Sequence, residues 1–451
     1  MEPPGKIAQA LALLDRFTNY EREAKYPYTG AAMNLERVST MLALVGSPEK
    51  KIRAIHLAGT KGKGSTARMI ESTLSSAGCK TGLYTSPHLL SLNERIQVND
   101  EMISDFELAG VIDGLRKGVD AVHARPELGE VSWFELLTAA AFAYFVAKKA
   151  DYAVLETGLG GRFDATNVCA PAVTVITPIS LDHTDLLGDT IAKIALEKAM
   201  IIKPGCPVVM APQPAAAREV ILKRAEQMGA ELLDLENLCS WKMNYIYPRE
   251  MGFDLSGGVN LPGLKTRMVG PVQMINAAAA ALVCGLLRAK GAKISDDTIR
   301  YGLGRARLAA RFQVSEIAGR TVVLDGAHNP ESGRALAETL GLVFPGRKFH
   351  FAVGMGRDKD LAGFFEQIKP LAQSMTLCRA SHARAASPEE LRHKLGDFAG
   401  KMAVEPLVAS VLGKITGLAR PDEIVVITGS FFLVGEALQW MVKKKIEIQI
   451  P

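Results

Sequence analysis

At 451 residues the chain exceeds what one hydrophobic core usually supports, which predicts two domains. Its make-up, 48 % hydrophobic and 22 % charged with a formal net charge of +5, is that of a soluble enzyme acting on anionic small molecules. It excludes a nucleic-acid surface, and no stretch offers the roughly 18 uninterrupted apolar residues of a membrane span. Six scattered cysteines without a C-x-x-C pair exclude a zinc cluster and predict a reducing, cytoplasmic setting; the N-terminus, Met-Glu-Pro-Pro-Gly-Lys, lacks the build of a signal peptide.

Residues 7–20 and 35–45 carry apolar positions at helical spacing on either side of a Tyr/Pro/Gly turn at 26–30. They lead into an apolar strand at 52–58. The loop that follows, Gly59-Thr60-Lys61-Gly62-Lys63-Gly64-Ser65-Thr66, has the make-up of a phosphate cradle, with helical periodicity resuming at Ala67. Glycines let the backbone approach an anion, so that amide N–H groups and the next helix's N-terminus converge on phosphate oxygens. Lys63 would add charge at the β/γ-phosphates, and Ser65 or Thr66 a hydroxyl toward Mg2+. The spacing departs from the generic P-loop, because Gly59 to Gly62 is short and Gly64 separates Lys63 from Ser65.

A short strand at 80–85 ends in Ser86-Pro87, and an apolar segment at 132–150 predicts a core helix with Phe134 as the one ring placed to face a ligand. The apolar run 153–155 reads as a buried parallel strand closed by Glu156, and an acid at the carboxyl end of such a strand sits at the ligand crevice. The loop beyond carries Gly158, Gly160 and Gly161 with Arg162 and Asp164, and a strand at 172–176 leads to Leu181-Asp182-His183-Thr184 and a helix bearing Glu197-Lys198. Ser86, Glu156 and His183 thus stand at equivalent strand ends, a constellation suited to a metal. Segments 241–247, 251–255 and 265–269 predict a small antiparallel flap, and 275–288 an alanine-rich helix with Asn276 near its start. From a boundary at 304–310, strands at 321–324, 349–353, 375–378 and 424–427 alternate with helices, which predicts a second, mainly parallel sheet.

Taken in order, Ala-Gly-Thr-Lys-Gly-Lys-Gly-Ser, Ser-Pro-His-Leu with Glu-Arg-Ile, Glu-Thr-Gly-Leu-Gly-Gly-Arg-Phe-Asp-Ala-Thr-Asn, Leu-Asp-His-Thr with Glu-Lys-Ala and Lys-Pro-Gly, Asp-Gly-Ala-His-Asn-Pro and Gly-Ser-Phe-Phe-Leu-Val-Gly-Glu resemble the folylpolyglutamate synthase/dihydrofolate synthase family of the Mur ligase superfamily. The resemblance implies a Mur ligase fold: an α/β P-loop ATPase domain with a mainly parallel sheet and a small antiparallel flap (1–306), and a smaller Rossmann-like α/β domain (307–451). It implies an ATP-dependent ligase that adds L-glutamate to dihydropteroate and to reduced folates through an acyl phosphate, as a cytoplasmic monomer.

Residue by residue, the resemblance gives Gly59, Thr60, Gly62, Lys63, Gly64, Ser65, Thr66, Asn276, Arg311, Asp325 and His328 as nucleotide contacts. It gives Ser65, Ser86 and Glu156 to a first Mg2+ site, and Glu156, His183 and a carbamylated Lys198 to a second, with room for a monovalent cation. Phe134, Arg162, Asp164 and Ser430 fall at substrate positions, Phe134 and Asp164 toward the pterin and Ser430 toward the incoming amino acid. Lys63, Glu156, His183 and Lys198 form its catalytic set. Departures are Lys61 where Asn is usual, Val272 for His, Met200 for Gly, and Leu308-Ala-Ala for Pro-Gly before Arg311. The rival readings are an enzyme that only extends folates, a cell-wall Mur ligase, a P-loop switch or motor, and an inert binding module.

Overall fold

The computed structural model describes residues 4–21, 23, 28–30, 33–415 and 423–446, so residues 26 and 27 of the turn expected at 26–30 lie outside the described residues. The leading helices are Pro4–Leu14 and Leu35–Ala43. Among the described residues the chain forms three sheets in two α/β domains. In the first sheet β1 (Arg53–Ala58), β2 (Thr81–Tyr84), β3 (Ile96–Val98), β4 (Glu101–Met102), β5 (Tyr152–Glu156), β6 (Pro171–Ile176), β7 (Val208–Met210) and β8 (Leu232–Asp234) stand in the order β4-β3-β2-β5-β1-β6-β7-β8. All neighbours are parallel except where β3 meets β2 and β4.

β1 is buried on both faces because its side chains alternate between two cores. Ile55 and Leu57 pack with helices Lys63–Ser76 and Val272–Ala289, whereas Ala54 faces a cluster containing much of helix Trp133–Ala147. From β1 the chain crosses to β2 on one side, and from β5 to β6 on the other. The loops leaving the carboxyl ends of β1, β2, β5 and β6 therefore meet over one crevice, the usual ligand position in an open α/β sheet.

The cradle helix begins at Lys63, one turn earlier than the apolar periodicity indicated. Gly62, at φ 85°, ends the loop, and the polar first turn carries no hydrophobic signal. Helix Val272–Ala289 has the length and mean hydropathy of a membrane span, but 67 % of it is buried and it carries Gln273 and Asn276 buried within it; it is a core helix.

The flap is a meander of β9 (Cys239–Tyr247), β10 (Glu250–Gly257) and β11 (Leu261–Thr266). Its third strand lies at 261–266 rather than 265–269, because Pro262 and Gly263, which read as breakers, fall on an edge strand where a missing N–H is tolerated. The second domain's sheet has six strands rather than four: β12 (Gln313–Ile317), β13 (Arg320–Leu324), β14 (Phe349–Val353), β15 (Ala372–Leu377), β16 (Lys401–Val404) and β17 (Ile424–Thr428), in the order β12-β13-β17-β14-β15-β16. Only the β12–β13 hairpin is antiparallel. The two strands missing from the sequence pattern are the edges, and β16 is exposed along its whole length. Helix Asp296–Arg305 absorbs Gly304, and the connection beyond it holds Ala310 and Phe312 at φ 58° and 47°, on either side of Arg311.

Candidate active site

The loop after β1 needs its glycines for contact as well as conformation. At Gly59 a side chain would collide with Thr177, and at Gly62 a Cβ would lie 2.5 Å from Asn276 Oδ1. Amides of Thr60 and Lys61 donate to the Pro178 carbonyl at 3.0 and 3.1 Å, which ties the cradle to the end of β6. The first-turn amides of helix Lys63–Ser76 have no acceptor within their helix, and Gly62, Lys63, Gly64 and Ser65 line the cleft. Lys63 folds back, Nζ 3.1 Å from the Gly59 carbonyl and 3.8 Å from Glu156 Oε1. Asn276 Oδ1 accepts from the Thr66 hydroxyl at 3.2 Å, and its amide donates to Gln273 at 2.9 Å.

At the end of β5 the Glu156 carboxylate is buried. It accepts the Ser86 amide at 3.2 Å, which brings together the two strand ends expected to share a cation. Burial pushes Glu156 above the ordinary carboxylate range despite the nearby charges of Lys63, Arg311 and Arg95. Lys198 is buried in helix Ile191–Ala199, its carbonyl packed against Gly161, and its amine, which feels the charges of Lys63, Asp182 and Asp164, has no hydrogen-bond or ion-pair partner among the described residues. Burial, reinforced by the charge of Lys63, brings its amine down to about 7. His183 faces the cleft from a left-handed position before a short helix. Although 37 % of its side chain is open, desolvation and the positive charges of Lys359 and Lys198 lower it to about 3.

The residue between these groups that the sequence reading left unassigned is Asp182. Its carboxylate takes Lys61 Nζ at 3.2 Å and Lys359 Nζ at 2.8 Å, with Asn329 Nδ2 at 3.4 Å and His328 Nε2 at 3.8 Å. Burial would raise it, but His328, Lys61, His183 and Lys359 together hold it far below the carboxylate range. Because Lys359, Asn329 and His328 belong to the second domain, Asp182 ties the two halves together across the cleft, while Lys61 pairs with the same carboxylate from within the first domain. The signal of Asp182 in the sequence was its place beside His183 in the loop that follows β6; Lys359, in Gly-Arg-Asp-Lys-Asp, gave none.

On the second domain's wall Arg311 stacks over the Phe431 ring at 4.5 Å; loss of water lowers it, opposed by Asp325 and Glu156. Asp325 accepts the amides of Phe312 and Ala327, each at 2.8 Å, yet burial still raises it. The His328 Nδ1 meets the Gly326 carbonyl at 2.7 Å, and desolvation with the charge of Lys61 lowers its ring. Ser430 caps helix Phe431–Lys443, its hydroxyl accepting from Leu433 N at 3.1 Å.

At the other end Phe134 lies 5.9 Å from the Tyr84 ring. Asp164 lines the cleft with its acceptor positions already taken by its own loop, from Gly158 N (2.8 Å), Leu159 N (3.0 Å), Thr166 N (3.0 Å) and Thr166 Oγ1 (2.5 Å). Arg162 pairs with Glu197 at 3.2 Å and is not on the cleft wall. The cleft, about 640 Å³, runs from the cradle past Glu156 to Phe134 and is closed on its far side by Arg311, His328 and Ser430. Among the described residues no three of His, Cys, Asp and Glu converge as a ready-made metal cage.

Residues 310–431 match the Mur ligase glutamate ligase domain. The chain is 36 % identical over 410 residues to the dihydrofolate synthase/folylpolyglutamate synthase of Bacillus subtilis, covering 90 % of this chain and 94 % of that one. It is 31 % identical to the Escherichia coli enzyme of the same name, over 90 % and 91 %. Among solved structures, Mycobacterium tuberculosis folylpolyglutamate synthase complexed with ADP and AMPPCP superposes with a TM-score of 0.87 at 30 % identity, covering 99 % of both chains. E. coli FolC in complex with DHPP and ADP superposes at 0.83 and 29 %, over 97 % and 98 %. Glycine cradle, strand-end acid and second-domain wall thus occur in a chain whose sequence and fold both follow these ligases nearly end to end, and the chain belongs to the dihydrofolate synthase/folylpolyglutamate synthase family.

Proposed function

We propose that this chain joins L-glutamate to dihydropteroate and, through γ-linked residues, to reduced folates, consuming ATP and releasing ADP and phosphate. The observation that carries this reading is that one cleft holds three kinds of subsite: a phosphate cradle at Lys63, an aromatic pocket at Phe134, and a second-domain wall with Arg311, His328 and the helix opened by Ser430. A carboxylate is a poor electrophile, so one of its oxygens first attacks the γ-phosphorus. ADP leaves, and the glutamate amine then displaces phosphate from the acyl carbon. Most of the protein's contribution is positioning and charge neutralisation. Lys63 leaves Glu156 for the phosphates, Arg311 and His328 face the transferred group from the opposite side, and the helix N-terminus at Ser430 receives a glutamate carboxylate. Asp182, by joining the domains, keeps water from the acyl phosphate.

The residues fit Mg2+. Glu156 is a buried carboxylate that, among the described residues, is met by the Ser86 amide and, at 3.8 Å, by Lys63, and a buried amine near 7 has the neutral fraction needed to capture CO2 as a carbamate. Ser65, Ser86 and Glu156 would hold one ion, and Glu156, His183 and carbamylated Lys198 the second; such ions neutralise phosphate charge. We place the domain division at residues 306/307 and the enzyme in a reducing cytoplasm, in keeping with six free thiols. One observation favours the narrower, folate-extending reading: the filled acceptor positions of Asp164 leave it less to offer a pterin. The test is ADP release from purified protein with ATP, Mg2+, glutamate and, separately, dihydropteroate, tetrahydrofolate or a nucleotide-sugar peptide. Release with both pterins is expected; release with the peptide alone rejects the proposal.

A further inference from the structure

Behind the Asp164 loop runs a chain of buried polar groups that ligation does not use. His56 sits on β1 with 0 % of its surface exposed. Its Nε2 lies 2.8 Å from the Thr166 hydroxyl, its Nδ1 3.6 Å from Cys169 Sγ, and the Thr166 hydroxyl lies 2.5 Å from Asp164 Oδ1. Burial raises Asp164, but backbone amides, which can only donate, point at both of its oxygens, so the carboxylate accepts throughout. The single hydroxyl proton of Thr166 then goes to Asp164, and the Thr166 oxygen accepts from His56. That assigns the ring proton to Nε2 and leaves Nδ1 as acceptor for the Cys169 thiol. Burial, aided by the charge of Lys203, brings His56 down to about 3, and burial pushes Cys169 up to about 12, so both are neutral at physiological pH. The chain from Cys169 through His56 and Thr166 therefore donates in one direction and ends on the carboxylate.

The other Asp164 oxygen holds the amides of Gly158 and Leu159. A Cβ on Gly158 would lie 2.7 Å from Phe134 Cζ, so the ring rests directly on the backbone that Asp164 fixes. No ion pair to Asp164 occurs among the described residues; its orientation rests on these neutral donors. Resting on the pterin reading of Phe134 and Asp164, we propose that His56 and Thr166 are positioning residues for the pterin end of the cleft, which set the affinity for the pterin-bearing substrate without entering the chemistry. Dihydropteroate, with no glutamyl tail to anchor it elsewhere, depends on that end more than a reduced folate does.

Thr166→Val removes the donor at nearly constant shape. It is expected to raise KM for dihydropteroate about tenfold, the scale of one hydrogen bond to a charged group, with a smaller rise for tetrahydrofolate. KM for ATP and kcat stay unchanged, and Thr166→Ser restores the original values. His56→Leu, which frees the hydroxyl without deleting it, gives a smaller rise in the same direction. Calorimetric titration of the pterin-bearing compound without ATP should weaken by the same factor, which reads the effect apart from turnover. Parallel rises in the KM for ATP, no rise at all, or no recovery with serine would overturn the assignment. Should the unaltered enzyme not use dihydropteroate, the synthase half of the proposed function fails; the relay is then decided by the same split between tetrahydrofolate and ATP.

Discussion

The two walls of the cleft handle their charges in opposite ways. On the second-domain side the polar groups are satisfied by nearby backbone: Asp325 by two amides, His328 by the Gly326 carbonyl, Ser430 by its own helix. On the first-domain side Glu156 and Lys63 stand 3.8 Å apart, and the buried Lys198 amine has no partner among the described residues. The second-domain groups are anchored to their own backbone before any ligand arrives, whereas the first-domain side holds a loosely paired carboxylate and a buried amine that a phosphate, a cation or CO2 would engage. Buried charge is tolerated when paired, so unpaired charge in a cleft marks where ligands complete the structure.

The change expected to break this contrast most severely is Lys63→Ala. It should lower kcat by on the order of a hundred- to a thousandfold with the melting temperature unchanged, since a cleft lysine adds little to stability; near-normal turnover would remove the cradle from the mechanism. Next comes Lys198→Ala, expected to lose on the order of tenfold to a hundredfold in activity and to regain part of it when a small carboxylate is supplied in place of the carbamate. Full activity without rescue would show that the buried amine is structural. Asp182→Asn probes the link between the walls. Losing the charge shared by Lys61 and Lys359 should raise KM for ATP and glutamate by about tenfold and reduce the compaction seen by small-angle scattering when both ligands bind. Unchanged scattering and KM would mean that the domains are held by apolar contact alone. The smallest effect belongs to Phe134→Ala, for which loss of an aromatic contact of about 0.5–1.5 kcal/mol predicts a several-fold rise in KM that is larger for dihydropteroate than for tetrahydrofolate. An equal rise for both would place the ring outside pterin discrimination.

Much of the first-domain wall was legible in the sequence because it lies at strand ends. An apolar run followed by Gly59, Ser86, Glu156 or the Asp182-His183 pair marks a strand and its exit in one reading. Edge strands were not legible: β12 and β16 alternate with polar residues or lie exposed, and β11 contains a proline, so none presents the continuous apolar run of a central strand. Long-range pairings escaped for a different reason. Nothing near Lys359 points to Asp182, nor near His56 to Thr166, because such contacts exist only after the sheet has fixed its strand order. Arg162 shows the converse. Its motif placed it among substrate contacts, while the structure gives it to Glu197, off the cleft wall.

The central claim is that the facing walls pass a phosphoryl group to a substrate carboxylate before the amide forms. Dihydropteroate or tetrahydrofolate carrying 18O in the reacting carboxylate tests it directly, read by mass spectrometry of the phosphate released with ADP in the presence of glutamate. Because the attacking carboxylate oxygen leaves with phosphorus when the amine displaces phosphate, one labelled oxygen per phosphate is expected. Amide formation accompanied by unlabelled phosphate would contradict the account.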